Sequence, residues 1–175
     1  MNKIEKQVIF TDGSCIPNPG RGGWAFIALP DTNDKNPTEW HVSGGDIMTT
    51  NNRMELSAVI EALEFFPDKR EYIIYTDSQY VINCAKGKWS RKKNIDLWKK
   101  YERISDACNI EWVWVKGHSG NKYNEMVIFG SYAYRLLDEL TIAGTFKYLN
   151  WDAAQSKFYV GGQEAGAGST IWWWV

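Results

Sequence analysis

No apolar run in this 175-residue chain approaches the ~20 residues of a membrane span. The opening stretch, MNKIEKQVIF, has no long apolar core, so no secretory signal is expected. Cysteine is scarce. Cys15, Cys84 and Cys108 are odd in number and share no paired spacing, which speaks against a disulfide framework or a zinc site. Reduced thiols in the cytoplasm are the expectation. Histidine is scarcer still, with only His41 and His118. There is no solenoid-type repeat. The formal net charge is −1, so the whole molecule is not an obvious polyanion binder. What remains is the mixture of an ordinary soluble domain, 44% hydrophobic and 23% charged, on a chain long enough for one full core.

The local distribution of charge is more telling than the total. Lys86, Lys88, Arg91, Lys92 and Lys93 crowd into eight residues and are followed by Lys99, Lys100 and Arg103. Trp89 and Trp98 sit among them. Cations mixed with flat aromatics can hold phosphates and lean on sugars or bases. A solvated loop followed by an amphipathic helix is the plainer alternative.

Along the chain, residues 7–14 read as a strand, IPNPGRGG as a Pro/Gly loop, 23–30 as a second strand and EWHVSGG as a third. These make an antiparallel meander. The period then becomes helical over NNRMELSAVIEALEFF, with Asn51 or Asn52 available as N-cap and Pro67 as the stop. EYIIYTDS predicts a buried strand, QYVINCAK a short helix, NIDLWKKYERISDACN a longer one, and IEWVWVKG a last strand. A helix is expected from Tyr123. The order β-β-β-α-β-α-α-β-α predicts an α/β domain, a mixed five-stranded sheet flanked by helices, over residues 1–143. Residues 144–175 differ in character and read as a short β-rich extension. IWWWV is expected to be a strand packed on the domain; a base-stacking surface or a docking peptide are its alternatives.

Three carboxylates stand out. Asp12 alternates with Val8 and Phe10 and so shares their strand face, at the strand's C-terminal end. Asp77 repeats the arrangement, Tyr-Thr-Asp-Ser against Phe-Thr-Asp-Gly. Glu55 leads the helical stripe Glu55, Val59, Ala62, Phe66, where a buried charge is costly unless something neutralises it. Singly, each has a bland explanation as turn residue, cap or dipole partner. Together they form a hard oxygen set without histidine or cysteine, which suits magnesium or manganese.

The segments TDGSCIPNPGRGGWAF, TTNNRMELSAVIEALE, YTDSQYVIN and WVWVKGHSGNKYNE, in that order, resemble the signature blocks of type 1 ribonuclease H over residues 7–125. The resemblance implies a ribonuclease H-like fold and cleavage of the RNA strand of RNA/DNA hybrids. It implies Asp12, Glu55 and Asp77 as catalytic ligands of two Mg2+ ions, with Mn2+ as an alternative, and His118 as the mobile catalytic histidine. Asn18, Asn52 and Gln79 match positions that read the 2′-hydroxyl; Thr50 and Asn51 match a pocket for a DNA-strand phosphate. Asn18 could equally be a turn residue, and Thr50 or Asn52 a helix cap. Products would carry 5′-phosphate and 3′-hydroxyl ends. A monomer acting on a hybrid, away from membranes, is the family expectation. The 2′-hydroxyl-reading residues argue against an integrase-like DNA nuclease.

The pattern fails in two places. The basic protrusion of longer members is mostly absent between Tyr80 and Asp96. The fourth carboxylate, three residues after Asn124-Glu125, is replaced by Ile128. Either MVIFGSYAYR is an insertion and Asp138 returns to the site, or the helix runs on and the carboxylate is missing. The continuous stripe Met126, Phe129, Ala133, Leu136, Leu140 favours the second. Loss of that ligand raises the alternative of a weakened or inactive hybrid-binding protein.

Overall fold

The computed structural model describes residues 6–30, 38–117 and 119–137, together with the backbone of 149–152, 157–160 and 163–164; side chains of 129 and of 132 onward are not described. His118, Asp138 and the IWWWV segment lie outside the described residues.

Strands β1 (Gln7–Cys15), β2 (Gly20–Ala28) and β3 (Trp40–Thr49) form the antiparallel meander. Helix α1 (Asn51–Phe65) leads to β4 (Glu71–Thr76), α2 (Gln79–Ala85), α3 (Ile95–Ser105), β5 (Asn109–Trp114) and α4 (Lys122–Leu137). The sheet order is β3-β2-β1-β4-β5, with β4 parallel to both β1 and β5. This is the expected mixed five-stranded α/β sheet. Strand β2 begins three residues earlier than the sequence pattern suggests. Its opening GRGG looks like loop by composition but pairs with the end of β3, through a register shift between Gly20 and Gly22. In the extension, β6 (Leu149–Asp152), β7 (Lys157–Val160) and β8 (Gln163–Glu164) form a separate three-stranded antiparallel sheet.

The alternating strand pattern places two cores on the two faces of the sheet. Ile9, Phe26, Val42 and Ile74 pack with Leu56, Val59 and Leu63 of α1 and Trp98 of α3. Phe10, Ala25 and Ile27 pack with Val127 of α4 on the other face, where Phe10 stacks on Tyr75 at 4.5 Å between centroids. Helix α1 buries more than the single stripe expected: Met54, Leu56, Ala58 and Ile60 are buried beside Glu55, Val59 and Ala62. It lies between the sheet and α3, so two of its faces are covered.

At the start of α1, Thr50 is the cap residue, one of the cap candidates beside Asn51 and Asn52, and its side chain makes no capping bond. Its carbonyl instead accepts the Arg53 and Met54 amides. The Asn51 amide donates across to Asn18 Oδ1 at 3.3 Å, so a side chain from the β1–β2 loop satisfies one of the helix's free donors. One turn on, Arg53 makes a two-pronged bond to Asp96 at 2.9 and 2.6 Å, tying α1 to the start of α3. The hydrogen bonds from Arg53 hold the Asp96 carboxyl down at about 2.

Candidate metal centre

The last paired residues of β1 and β4 are Phe10 and Tyr75. Asp12 and Asp77 each follow two residues later, so parallel pairing carries both carboxylates to the same end of the sheet. Glu55 arrives from the first turns of α1. Helix and strand touch at Gly13, where a Cβ would stand 2.1 Å from the Glu55 backbone nitrogen. Only glycine admits so close an approach. Carboxylate oxygens of Asp12, Glu55 and Asp77 lie within 4.8 Å of one another.

This arrangement is costly by itself. Burial, then the neighbouring charges of Asp12 and Asp77, push the Glu55 carboxyl well above its ordinary value of 4.5. The Gly13 amide and the Asn51 side chain, whose nitrogen stands 3.4 Å from Glu55 Oε1, offset part of that cost. Glu55 Oε2 is buried with no hydrogen-bond partner. A buried acceptor without a donor, facing two further carboxylates, fits a hard divalent cation held by oxygen alone.

Neutral groups surround the carboxylates. Trp114 Nε1 donates to the Asp77 carbonyl at 3.1 Å. A Cβ at Gly117 would meet Asp77 Oδ2 at 2.5 Å. Ile128, 5% exposed, lines the centre at the place where the fourth carboxylate was sought. Helix α4 is unbroken through Leu137, nine residues past Ile128. At 1.5 Å per residue that is about 14 Å of rise. Among the described side chains of α4, Asn124, Val127, Ile128 and Ser131 are buried, and Met126 packs half-buried against the Phe10–Val127 core; Phe129 and Ala133 of the expected stripe lie outside the described side chains. Two of the four buried residues are polar, so a hydropathy pattern passes over them. Ser131 Oγ donates to Asp12 Oδ2 at 2.5 Å. Ser131, Trp114 and Gly117 were not singled out from the sequence. Ser131 was findable, since it follows Ile128 by three and so shares its helix face.

Of the residues expected at the substrate, Asn18, Asn52 and Gln79 are exposed and Thr50 is half-buried. Asn51 faces inward: its Oδ1 accepts the Cys15 amide at 3.2 Å while its nitrogen reaches Glu55. Beside the His118 position, Ser119 Oγ donates to the Lys116 carbonyl and the Gly120 amide to Glu125.

The basic segment divides. Arg91 belongs to the basic run in sequence, but its guanidinium stacks 4.5 Å from the Trp98 ring centroid and 5.8 Å from that of Tyr101. It also donates to the Cys84 carbonyl and to Glu102. A planar cation can stack and donate at once, so Arg91 splints α2 to α3. Lys86, Lys88, Trp89, Lys92 and Lys93 are all exposed.

Comparison with known proteins agrees with this geometry. The family model for RNase H matches residues 5–127, ending one residue before Ile128. The ribonuclease H of Neorickettsia sennetsu is 41% identical over 139 residues, 71% of this chain and 89% of that protein. The ribonuclease H of Nitratidesulfovibrio vulgaris is 44% identical over 130 residues, 66% of this chain and 80% of its own length. Among solved structures, LC11-RNase H1 in complex with an RNA/DNA hybrid superposes with a TM-score of 0.59 at 24% identity, over 73% of this chain and 98% of that one. The N-terminal RNase H domain of a Mycobacterium tuberculosis protein superposes with a TM-score of 0.64 at 20% identity, over 77% of this chain and 96% of that one. With the carboxylates at the strand ends and the family match over most of its length, the chain belongs to the ribonuclease H family.

Proposed function

We propose that the chain is an endoribonuclease that hydrolyses the RNA strand of RNA/DNA hybrids at a divalent-cation centre held by Asp12, Glu55 and Asp77. The observation that carries this is the buried, unpartnered Glu55 oxygen gathered with two more carboxylates at one end of the sheet. Family membership supports the reaction, and the hybrid bound to LC11-RNase H1 supports the substrate. Mg2+ is the proposed ion; a pair would activate water and stabilise the leaving 3′ oxygen, giving 5′-phosphate and 3′-hydroxyl ends. The protein's own part is positioning. Asp12, Glu55 and Asp77 would hold the cation that binds the reacting phosphate, the exposed Asn18, Asn52 and Gln79 would read the 2′-hydroxyl, and His118 is proposed to move protons or release product. Thr50 and the start of α1 would meet a DNA-strand phosphate. With Ile128 lining the centre where a fourth carboxylate is expected, a second ion would be held more loosely, and Mn2+ or high Mg2+ would be favoured. All three cysteines are free thiols, in keeping with a cytoplasmic enzyme; we take it to act as a monomer.

The apolar lining at Ile128 also favours a second reading, a hybrid-binding protein with weakened or lost catalysis. Cleavage of labelled RNA/DNA hybrid, duplex RNA, single-stranded RNA and duplex DNA, in Mg2+ and separately in Mn2+, decides between them. The nuclease reading requires RNA cut only within the hybrid. Hybrid binding with no cleavage in either metal establishes the second.

The exposed lysines give a separate expectation. Lys92→Glu with Lys93→Glu should weaken hybrid binding and reduce the slope of log K against log salt by about 1 for each phosphate no longer neutralised. The contrasting Arg91→Glu removes a stacked splint and should lower the melting temperature instead. A salt slope unchanged in the double-lysine variant, measured by fluorescence anisotropy, would remove this segment from the binding surface.

A further inference from the structure

We infer that Ser131 is a positioning residue for the metal centre, orienting the Asp12 carboxylate from α4, one turn beyond Ile128. This rests on the reading of Asp12, Glu55 and Asp77 as cation ligands. Ser131 is fully buried, 0% exposed, and a buried hydroxyl needs a partner. Its oxygen lies 2.5 Å from Asp12 Oδ2 and 2.9 Å from the Ile128 carbonyl. A hydroxyl has one proton to give, and an ionised carboxylate takes it in preference to a neutral carbonyl.

The setting gives that bond its importance. Asp12 lies beyond the last β1–β4 pair, and oxygens of Glu55 and Asp77 lie within 4.8 Å. Repulsion among three carboxylates tends to rotate them apart. Ser131 opposes that rotation by holding Asp12 Oδ2. The bond crosses from α4 to the end of β1, so it also fixes where the Ile128 side of the centre stands. In effect the helix contributes a neutral donor to one of the three carboxylates. Outer partners of this kind commonly change metal affinity by about 10–100-fold when removed.

The test is Mn2+ binding to the full chain by isothermal titration calorimetry, with no nucleic acid present. Wild type is compared with Ser131→Ala, Ser131→Cys and Ser131→Thr, alongside thermal melting. Ser131→Ala is expected to weaken Mn2+ binding about tenfold with a small change in melting temperature. Ser131→Cys, similar in size but a weak donor, should match it and serves if the alanine variant does not fold. Ser131→Thr keeps the hydroxyl and should recover affinity to within a few-fold of wild type. In cleavage assays the alanine variant should regain kcat at higher Mn2+ with the hybrid KM unchanged. Mn2+ affinity in Ser131→Ala and Ser131→Cys within twofold of wild type overturns the inference and leaves the metal centre standing. Wild type that binds no Mn2+, or binds it as well after Asp77→Asn, overturns the metal centre and this inference with it.

Discussion

An Asp77→Asn variant is expected to fold normally and to lose cleavage of an RNA/DNA hybrid by at least about a thousandfold, since a cation at a reacting phosphate supplies several kcal/mol and about 4 kcal/mol corresponds to that factor. The substitution keeps the shape of the side chain and removes one of three gathered charges. It leaves the Asp77 carbonyl free to accept from Trp114, so the local backbone has no reason to move. The stability effect runs opposite to the activity effect. The Asp77 charge is one of the causes that raise the Glu55 carboxyl, and removing it relieves repulsion in the metal-free protein. Melting without divalent ions should therefore occur at the wild-type temperature or slightly above. Activity within tenfold of wild type, at equal metal and substrate, would show that Asp77 is not a ligand.

The second large effect is expected at Gly13→Ala. The added methyl would stand 2.1 Å from the Glu55 nitrogen, 2.3 Å from the Met54 carbonyl carbon and 2.7 Å from the Glu55 Cα. All three are backbone atoms, so no flexible side chain can yield. Overpacking against side chains already costs about 1–3 kcal/mol. Here α1 must back away from β1 as a unit, disturbing the inner core and the Gly13–Glu55 bond together. A loss of at least about 3 kcal/mol is expected, a large share of the 5–15 kcal/mol available to an ordinary domain. Urea unfolding measures it, and calorimetry on the folded fraction should show Mn2+ binding lost. A variant less than about 1 kcal/mol destabilised would mean that strand and helix do not meet as described.

The three gathered carboxylates were legible because each combines two local signals. Asp12 and Asp77 follow apolar alternation and stand at strand ends with near-identical flanks. Glu55 leads an apolar helical stripe that a carboxylate has no reason to join unless it is neutralised. Parallel pairing of β1 with β4 then does in space what the matching flanks implied. The rest was hidden because its signals are not hydropathic. Ser131 and Asn124 hold buried positions of α4 as polar residues, which a hydropathy pattern passes over. Arg91 looked like one more cation in a basic run; nothing in composition says that Trp98 and Tyr101 turn their rings toward it. Asn51, assigned to a substrate phosphate, spends its side chain inside the protein on Cys15 and Glu55. That bridge crosses from helix to strand and becomes visible only when Gly13 brings the two together.

The orphaned Glu55 oxygen has a thermodynamic corollary. Only the native chain assembles the three carboxylates; in the unfolded chain they are far apart in sequence and bind a divalent ion weakly. The ion is then a ligand of the folded state, and mass action makes stability depend on its concentration. At a free concentration one hundred times its Kd it adds about 2.7 kcal/mol. A series of urea midpoints against divalent-ion concentration would thus report the ion's affinity without any nucleic acid, turning the protein's own unfolding into a gauge of how full its centre is.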